Sequence, residues 1–320
     1  MVRGKYMKTT ALQNLFHNKK NHIKDSIGQR IFRVFLAIIL ILACAAFLFP
    51  YLHVLAKALN SSADTALGGL TIYPRKFTFE FISIVLQDSG ILLGLRNTVA
   101  ITVIGSLFTV AINYVAAYAL WQKTFWGKTV IVWFLTIPMF ISGGIVSNYV
   151  IYSKIGMIDN FLVYILPGSF NFFTVVFIRT YLTGVSTTYV EAARIDGASE
   201  LKIAVKIILP LSMPIIAVML LRAAVGYWNS WSTTLYYIDS PSLYTLPYYL
   251  QLSLKNSQEV ERVLREAIEQ GRIVGDMSIG SPSESIQAAQ TIISTLPLVC
   301  LYPFFQKYLA KGVSLGGIKE

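Results

Sequence analysis

Long apolar runs alternate with short polar segments along this chain, and that pattern predicts helices crossing a membrane instead of a water-soluble core. A helix needs about 20 apolar residues to cross the hydrocarbon layer. Six segments reach that length: residues 31–55, 98–120, 129–152, 161–182, 207–228 and 288–308. The stretch 35–52 carries no charged side chain, which makes the first span the clearest, whereas Pro138, Gly143, Gly144 and Asn148 interrupt the third. The pattern thus gives an all-α integral membrane protein with six transmembrane helices and a polar loop, residues 229–287, between the last two.

Charge placement orients the spans. Residues 1–33 carry Arg3, Lys5, Lys8, Lys19, Lys20, Lys24, Arg30 and Arg33 against Asp25 alone, which places the N-terminus in the cytoplasm. Six crossings return the C-terminus to the same side. Lys123, Lys128, Arg194, Lys202, Lys206, Lys307, Lys311 and Lys319 then fall inside, and the loop 229–287 falls outside. The net charge of +11 and pI near 9.5 follow from this bias and need no nucleic acid. Composition agrees, since 55% of residues are hydrophobic, 13% are charged and the mean hydropathy is +0.59. The basic N-terminus resembles an uncleaved anchor more than a signal peptide, because its apolar run exceeds a signal core and no small-residue cleavage site follows. The expected organisation is a basic cytoplasmic tail over residues 1–30, a permease-like membrane domain over 31–309 and a cytoplasmic tail over 310–320.

Within the outer loop, Val260, Val263, Leu264, Ala267 and Ile268 share one helical face over residues 256–270. Asn256 with Glu259 is a capping pair, Glu261 and Arg265 stand four apart, and Gly271 is a stop signal, so an external amphipathic helix is expected. Its apolar face has three possible mates: this subunit's own outer surface, a sister subunit or a docked receptor, with packing among membrane subunits favoured. Cys44 and Cys300 lie in apolar surroundings with no metal-ligand spacing nearby and read as packing residues.

The most specific segment lies between the fourth and fifth spans: Glu191-Ala192-Ala193-Arg194-Ile195-Asp196-Gly197, followed by Ile207-Ile208-Leu209-Pro210. Thr188 and Glu191 have capping-box spacing, and Gly197 suits the left-handed turn that ends a helix. A helix over 189–196 is therefore expected, then a second one capped by Ser199 that carries Glu200, Lys202 and Lys206 up to Pro210 and Pro214. Ala192 and Ala193 together would leave a smooth patch for a partner's groove. Glu191 either caps its own helix or pairs, as Asp196 can, with a basic residue on that partner.

The spacing Glu-Ala-Ala, three residues, Gly, nine residues, Ile-x-Leu-Pro resembles the cytoplasmic motif of membrane subunits of bacterial binding-protein-dependent ABC importers. Gly143-Gly144-Ile145, Tyr227-Trp228-Asn229-Ser230-Trp231 and the tail from Phe305-Gln306-Lys307-Tyr308 to Gly316-Gly317-Ile318-Lys319 resemble the carbohydrate-uptake branch, of maltose type, with its complex-oligosaccharide permeases. That resemblance covers nearly all of the chain after Arg33. It implies a type I importer permease fold (MetI-like) with cytoplasmic coupling helices at about 188–206. It also implies a second homologous permease subunit, two copies of a cytoplasmic ATPase, an extracellular solute-binding lipoprotein and an oligosaccharide substrate. Two positions depart from the family pattern: Ser147-Asn148 stands where relatives tend to have a proline, and Arg222 occupies a usually apolar stretch.

Nucleotide chemistry is missing from the sequence itself. Gly127-Lys128-Thr129 has Gln122, not glycine, five residues earlier, so no phosphate-binding loop is present. If ATP drives transport, ATP and its Mg sit on partner subunits, and this chain carries no cofactor. Nor do His17, His22 and His53 form a catalytic set, and no nucleophile elbow exists, so an enzyme is not expected. A stand-alone ion-coupled transporter or channel is the rival reading, but it calls for carboxylates inside spans, and no span interior holds Asp or Glu.

Polar side chains within spans are costly and so are pathway candidates. They are Asn113, Asn148, Asn171 and Arg222, followed by Tyr227, Trp228, Asn229 and Trp231 near the outer end of the fifth span. Each asparagine is more readily read as an interhelical hydrogen bond. Arg222 is expected to face the bundle interior or to snorkel outward. The aromatic cluster suits stacking on sugar rings, and equally suits an interfacial belt. The basic tail from Gln306 either reaches toward the ATPase or is disordered.

Overall fold

The computed structural model describes residues 26–61, 64–65, 67–123, 125–141, 143–269 and 282–315. The N-terminal basic tail and the terminal glycines Gly316 and Gly317 lie outside that set, as do the side chains of Lys307 and Lys311. The described elements are helical, joined by turns and a single antiparallel bridge between Asn60 and Phe77.

In chain order the helices are α1 (Ile27–Ala58), α2 (Glu80–Gln87), α3 (Ser89–Trp121), α4 (Lys128–Met139), α5 (Gly144–Lys154), α6 (Leu162–Ser169) and α7 (Phe172–Thr183). Then come α8 (Thr188–Ile195), α9 (Glu200–Leu211), α10 (Met213–Trp228), α11 (Trp231–Tyr237), α12 (Leu246–Glu269) and α13 (Pro282–Leu315). Three helices, α1, α3 and α13, are long and apolar enough to cross a membrane unaided. Three bent pairs qualify as further spans, α4 with α5 at 113°, α6 with α7 at 51° and α9 with α10 at 82°, so the total is six if each pair counts once.

The sequence pattern therefore overstates how straight the third, fourth and fifth spans are. Pro138 sits in the last turn of α4, and Gly144 opens α5 with φ 75°, which accounts for the sharpest bend. Between α6 and α7 the backbone of Phe170 and Asn171 is extended. At Ser212 the helix turns because Pro210 and Pro214 cannot donate to the carbonyls a turn earlier. The Ser212 hydroxyl reinforces the turn by donating to the Ile208 and Leu209 carbonyls, at 2.8 and 3.0 Å. The straight helix of the fifth span accordingly begins at Met213, not at Ile207.

Residues 1–52 group as one unit, in which the helix from Ile27 to Leu52 presents an exposed apolar surface. Residues 53–320 form the other, built around α3, which packs against α6, α7, α10 and α12. Along α3 the buried face reads Thr98, Ile101, Thr102, Gly105, Ser106, Thr109, Asn113 and Ala117. Small side chains at that spacing let helices approach closely where lipid gives no hydrophobic drive for association. The ring of Tyr227 occupies the space where a β-carbon on Gly105 would sit, 2.8 Å away.

Two ends can be told apart. At one, α8 and the start of α9 meet the end of α3; at the other, Asn97 donates to the Ser242 and Tyr244 carbonyls, and Asp159 accepts from Ser240. There Asn60, Asp64 and Arg75 form a further cluster. The hydrogen bond from Asn60 first, then the Arg75 guanidinium, holds the Asp64 carboxyl below the ordinary aspartate value. The cysteines do not pack inside the chain, since Cys44 and Cys300 are free thiols on exposed surface.

A docking unit and a polar break in the bundle

The motif segment folds as a closed local unit. Gly197 adopts φ 75°, its N–H bonds the Arg194 carbonyl at 3.0 Å, and the Ala198 N–H bonds the Ala193 carbonyl at 2.9 Å. This pair is the Schellman ending, which satisfies carbonyls that a helix end otherwise leaves bare. Ser199 then caps α9 by accepting from the Lys202 N–H at 3.4 Å.

The start of α8 differs from the expected capping box. Thr188 lies in the first turn, Thr187 occupies the cap position without a side-chain bond, and the Ser186 hydroxyl accepts from the Thr188 N–H at 3.3 Å. Ser186 removes the need for a reciprocal cap, so the Glu191 carboxylate is not engaged at the helix start and is exposed.

Ala192 and Ala193 do not share a patch either. Ala193 and Val190 are buried in the cluster that joins α8 to Tyr114, Ile178, Leu182, Ile203 and Ile208, whereas Ala192 faces outward. Alternate sides of a 3.6-residue helix made that split inevitable once Val190 was drawn inward. Exposed beside Ala192 are Ile195 at 87%, Leu201 at 75% and Tyr189. Full burial of an isoleucine or leucine gains about 1.5–3 kcal/mol, which this surface leaves unrealised within the chain. Asp196 and Gly197 are exposed at the same turn. A cleft of about 80 Å³ adjoins it, lined by Trp121, Gln122, Lys123, Thr187, Val190, Glu191 and Arg194.

A polar clasp fixes this unit to the end of α3. Arg194 Nε donates to Glu200 at 2.8 Å and its Nη2 to Gln122 at 3.0 Å, while the Tyr118 hydroxyl and Gln122 amide donate to the other Glu200 oxygen at 3.0 and 3.1 Å. The Arg194 hydrogen bond, followed by that of Tyr118, holds the Glu200 carboxyl below the ordinary glutamate value. Tyr114 donates to the Ala204 carbonyl at 2.7 Å, where α9 widens by one residue so that Leu209 N–H reaches the same oxygen. Nothing in the spacing of Gln122, Tyr118 and Glu200 marks them as partners in a clasp. Only the shared proximity of three elements reveals them.

The candidate pathway residues divide. Asn113 is fully buried; its amide donates to the Thr109 and Ser169 carbonyls, both at 2.7 Å, and its oxygen accepts from the Asn171 N–H at 2.9 Å. It closes the gap that extended backbone opens between α6 and α7. Asn171 caps α7 by accepting from the Thr174 N–H at 3.0 Å. The Asn113 amide and the Asn171 oxygen therefore serve the helix break.

The aromatic cluster is likewise not a joint sugar platform. Trp228 is buried, with its indole N–H bonded to the Ser294 carbonyl at 2.9 Å, and the Tyr227 hydroxyl meets Thr109 at 2.7 Å. Asn229 turns its amide back to the Val225 carbonyl at 2.9 Å. Trp231 is part-exposed at the start of α11, and Asn148 is half-buried on α5, away from the others. Small gaps on α3, at Gly105 and Thr109, drew Tyr227 inward, a pairing that spacing along the chain does not reveal.

Arg222 alone keeps a free charge-bearing face. It lies nine residues into α10, about 13 Å along a helix of about 24 Å. Its Nη1 donates to Thr174 at 3.4 Å, and its guanidinium lies 5.4 Å from the centre of the exposed Phe173 ring. An arginine within a span costs up to about 2.5–3.5 kcal/mol on insertion scales, and the long hydrogen bond to Thr174 offsets little of it.

With that geometry in place, known proteins of the same build are informative. The polygalacturonan/rhamnogalacturonan transport system permease protein YtcP of Bacillus subtilis (strain 168) is 28% identical over 275 residues, 84% of this chain and 92% of its own. The trehalose/maltose transport system permease protein MalG of Thermococcus litoralis is 27% identical over 316 residues, 93% of this chain and 99% of its own. Among solved structures, a bacterial ABC transporter for import of the acidic polysaccharide alginate matches with TM-score 0.78 at 24% identity, over 89% of this chain and 99% of the matched one. The family model for the inner membrane component of binding-protein-dependent transport systems matches residues 122–315, which hold Arg194 and Glu200, the Gly197 turn, the α6–α7 break and α13. The chain belongs to that family of transport-system membrane components.

Proposed function

We propose that this protein is the permease subunit of an ATP-driven importer and forms half of the path for a sugar, an oligosaccharide, handed over by an extracellular binding protein. Its partners are a second homologous permease, two copies of a cytoplasmic ATPase that hold ATP and Mg, and a solute-binding lipoprotein. It lies in the bacterial cytoplasmic membrane with both termini inside, which puts the docking unit at the cytoplasmic face, in keeping with the basic residues gathered there. The relatives' names support a sugar: polygalacturonan/rhamnogalacturonan, arabinooligosaccharides and trehalose/maltose. One relative is named for osmoprotective compounds, so a non-sugar solute is the second reading.

The observation that carries this proposal is the docking unit. A short helix closed by Gly197 presents Glu191, Ala192, Ile195 and Asp196 outward, while Val190 and Ala193 root it in the bundle. Such a unit passes rigid motion from a partner to α3, α7 and α10, the helices around its root. ATP closes the ATPase dimer, the unit moves with it, the spans open outward to receive sugar, and hydrolysis resets them. The clasp through Arg194 and Glu200 keeps the unit from sliding independently of α3.

Replacing Glu191 and Gly197 tests this. The expected outcome is loss of ATPase association and of uptake with the subunit still present in the membrane; unchanged association and uptake would sink the importer reading.

A further inference from the structure

The break between α6 and α7 leaves extended backbone at the depth of Arg222 and Thr174. Irregular backbone at membrane depth persists only where protein buries it or where it lines a water-filled cavity. One side of this break is buried: Asn113, Ser169 and Phe172 lie in the bundle. The other is open, with Phe170, Phe173 and Phe177 exposed and Arg222 among them. The Phe173 and Phe177 rings stand 4.5 Å apart, tilted by 47°.

The chemistry of this face is specific. Among the described residues Arg222 forms no ion pair, and its hydrogen bond to Thr174 uses Nη1 alone. The Phe173 face and the Thr174 hydroxyl orient the guanidinium, so its planar fork is held ready without being consumed. A neutral sugar presents hydroxyls, which amides and hydroxyls satisfy at no charge cost. A carboxylate matches the fork with two parallel hydrogen bonds and neutralises the charge.

We propose that Arg222 is a carboxylate-binding point in the translocation path and that the transported oligosaccharide carries carboxylates on its sugar rings, which stack on Phe173 and Phe177. This rests on the sugar-importer reading above and narrows it to acidic oligosaccharides.

The test is uptake by cells carrying the complete importer, supplied with digalacturonate or an alginate disaccharide, each beside its counterpart with the carboxyls reduced to alcohols. The wild type takes up at least one acid faster than its reduced form. Arg222→Gln lowers uptake of that acid at limiting concentration about tenfold or more, much of it regained at saturation, while any uptake of the reduced form changes less than about twofold. Arg222→Lys, which keeps charge without the fork, falls between. Immunoblots of membranes normalise each rate to the subunit present. Equal loss for acid and reduced sugar, or no loss in Arg222→Gln, overturns the carboxylate role. Wild-type preference for the reduced sugars overturns it too, with the importer reading intact. Uptake of neither form by the wild type overturns the proposal and counts against the sugar reading with it.

Discussion

Two interruptions of helix, at Gly197 and at Asn171, are built on opposite principles. The turn at Gly197 closes on itself: a left-handed glycine and two backbone hydrogen bonds within six residues complete it, with side chains serving only to root and clasp it. The break at Asn171 is closed from elsewhere, by an amide on α3 that is 58 residues away in sequence. A locally closed turn keeps its shape while the unit moves as a body against a partner. A break stitched by one distant side chain ties its own shape to the placement of α3. The molecule thus separates a turn that closes on itself from a break held by a distant helix.

Removing the distant stitch has the largest expected effect. Asn113→Leu leaves the Asn171 N–H and the Ser169 carbonyl buried without partners, at about 1–3 kcal/mol each. Thermal unfolding of the purified subunit in detergent is expected to shift down steeply, and transport to fall with it. Gly197→Ala is expected to be milder, since a side chain in the left-handed region costs about 1–2 kcal/mol at one residue. Its thermal midpoint stays near that of the wild type while ATPase-coupled uptake drops, and Gly197→Asn recovers part of it. If Gly197→Ala destabilises the fold more than Asn113→Leu does, the contrast between local and distant closure is wrong.

The gap between these two sites also explains what could be read from the chain. Gly197 and Ser199 act within a few residues, so their turn and cap follow from spacing alone. The span count is likewise set by runs of about 20 apolar residues, although the bends at 170 and 212 are not, because they depend on whether a neighbouring group accepts or donates at the break. Thr188 with Glu191 has the spacing of a capping box, yet Ser186 reaches the helix start first. Trp228 has the position of a mouth residue, yet the Ser294 carbonyl on α13 draws it inward. Periodicity reports which residues avoid water; it is silent about which partner a polar tip will find.

The smallest expected effect concerns the clasp. Because Arg194 and Tyr118 hold the Glu200 carboxyl below its ordinary value of 4.5, its contribution is complete above that value and is lost as pH falls through the lowered one. The pair is solvent-exposed, so the change is under about 1 kcal/mol and shrinks with added salt. Protease cleavage near Gly197 is expected to speed up for the wild type as pH drops below about 4.5, and to be fast and nearly pH-independent there for Glu200→Gln. The comparison sharpens if this acid step leaves the Asn171 break untouched, as its uncharged partners require.

The most direct measurement is co-purification of the ATPase subunits with Ile195→Arg. Ile195 is 87% exposed and lies outside the bundle, so the fold tolerates the change. The permease is expected to reach the membrane in normal amount, to keep its thermal midpoint, and to lose both the bound ATPase and oligosaccharide uptake. Full retention of the ATPase with normal uptake would contradict the claim that this face of the Gly197 turn is where the partner's motion enters the bundle.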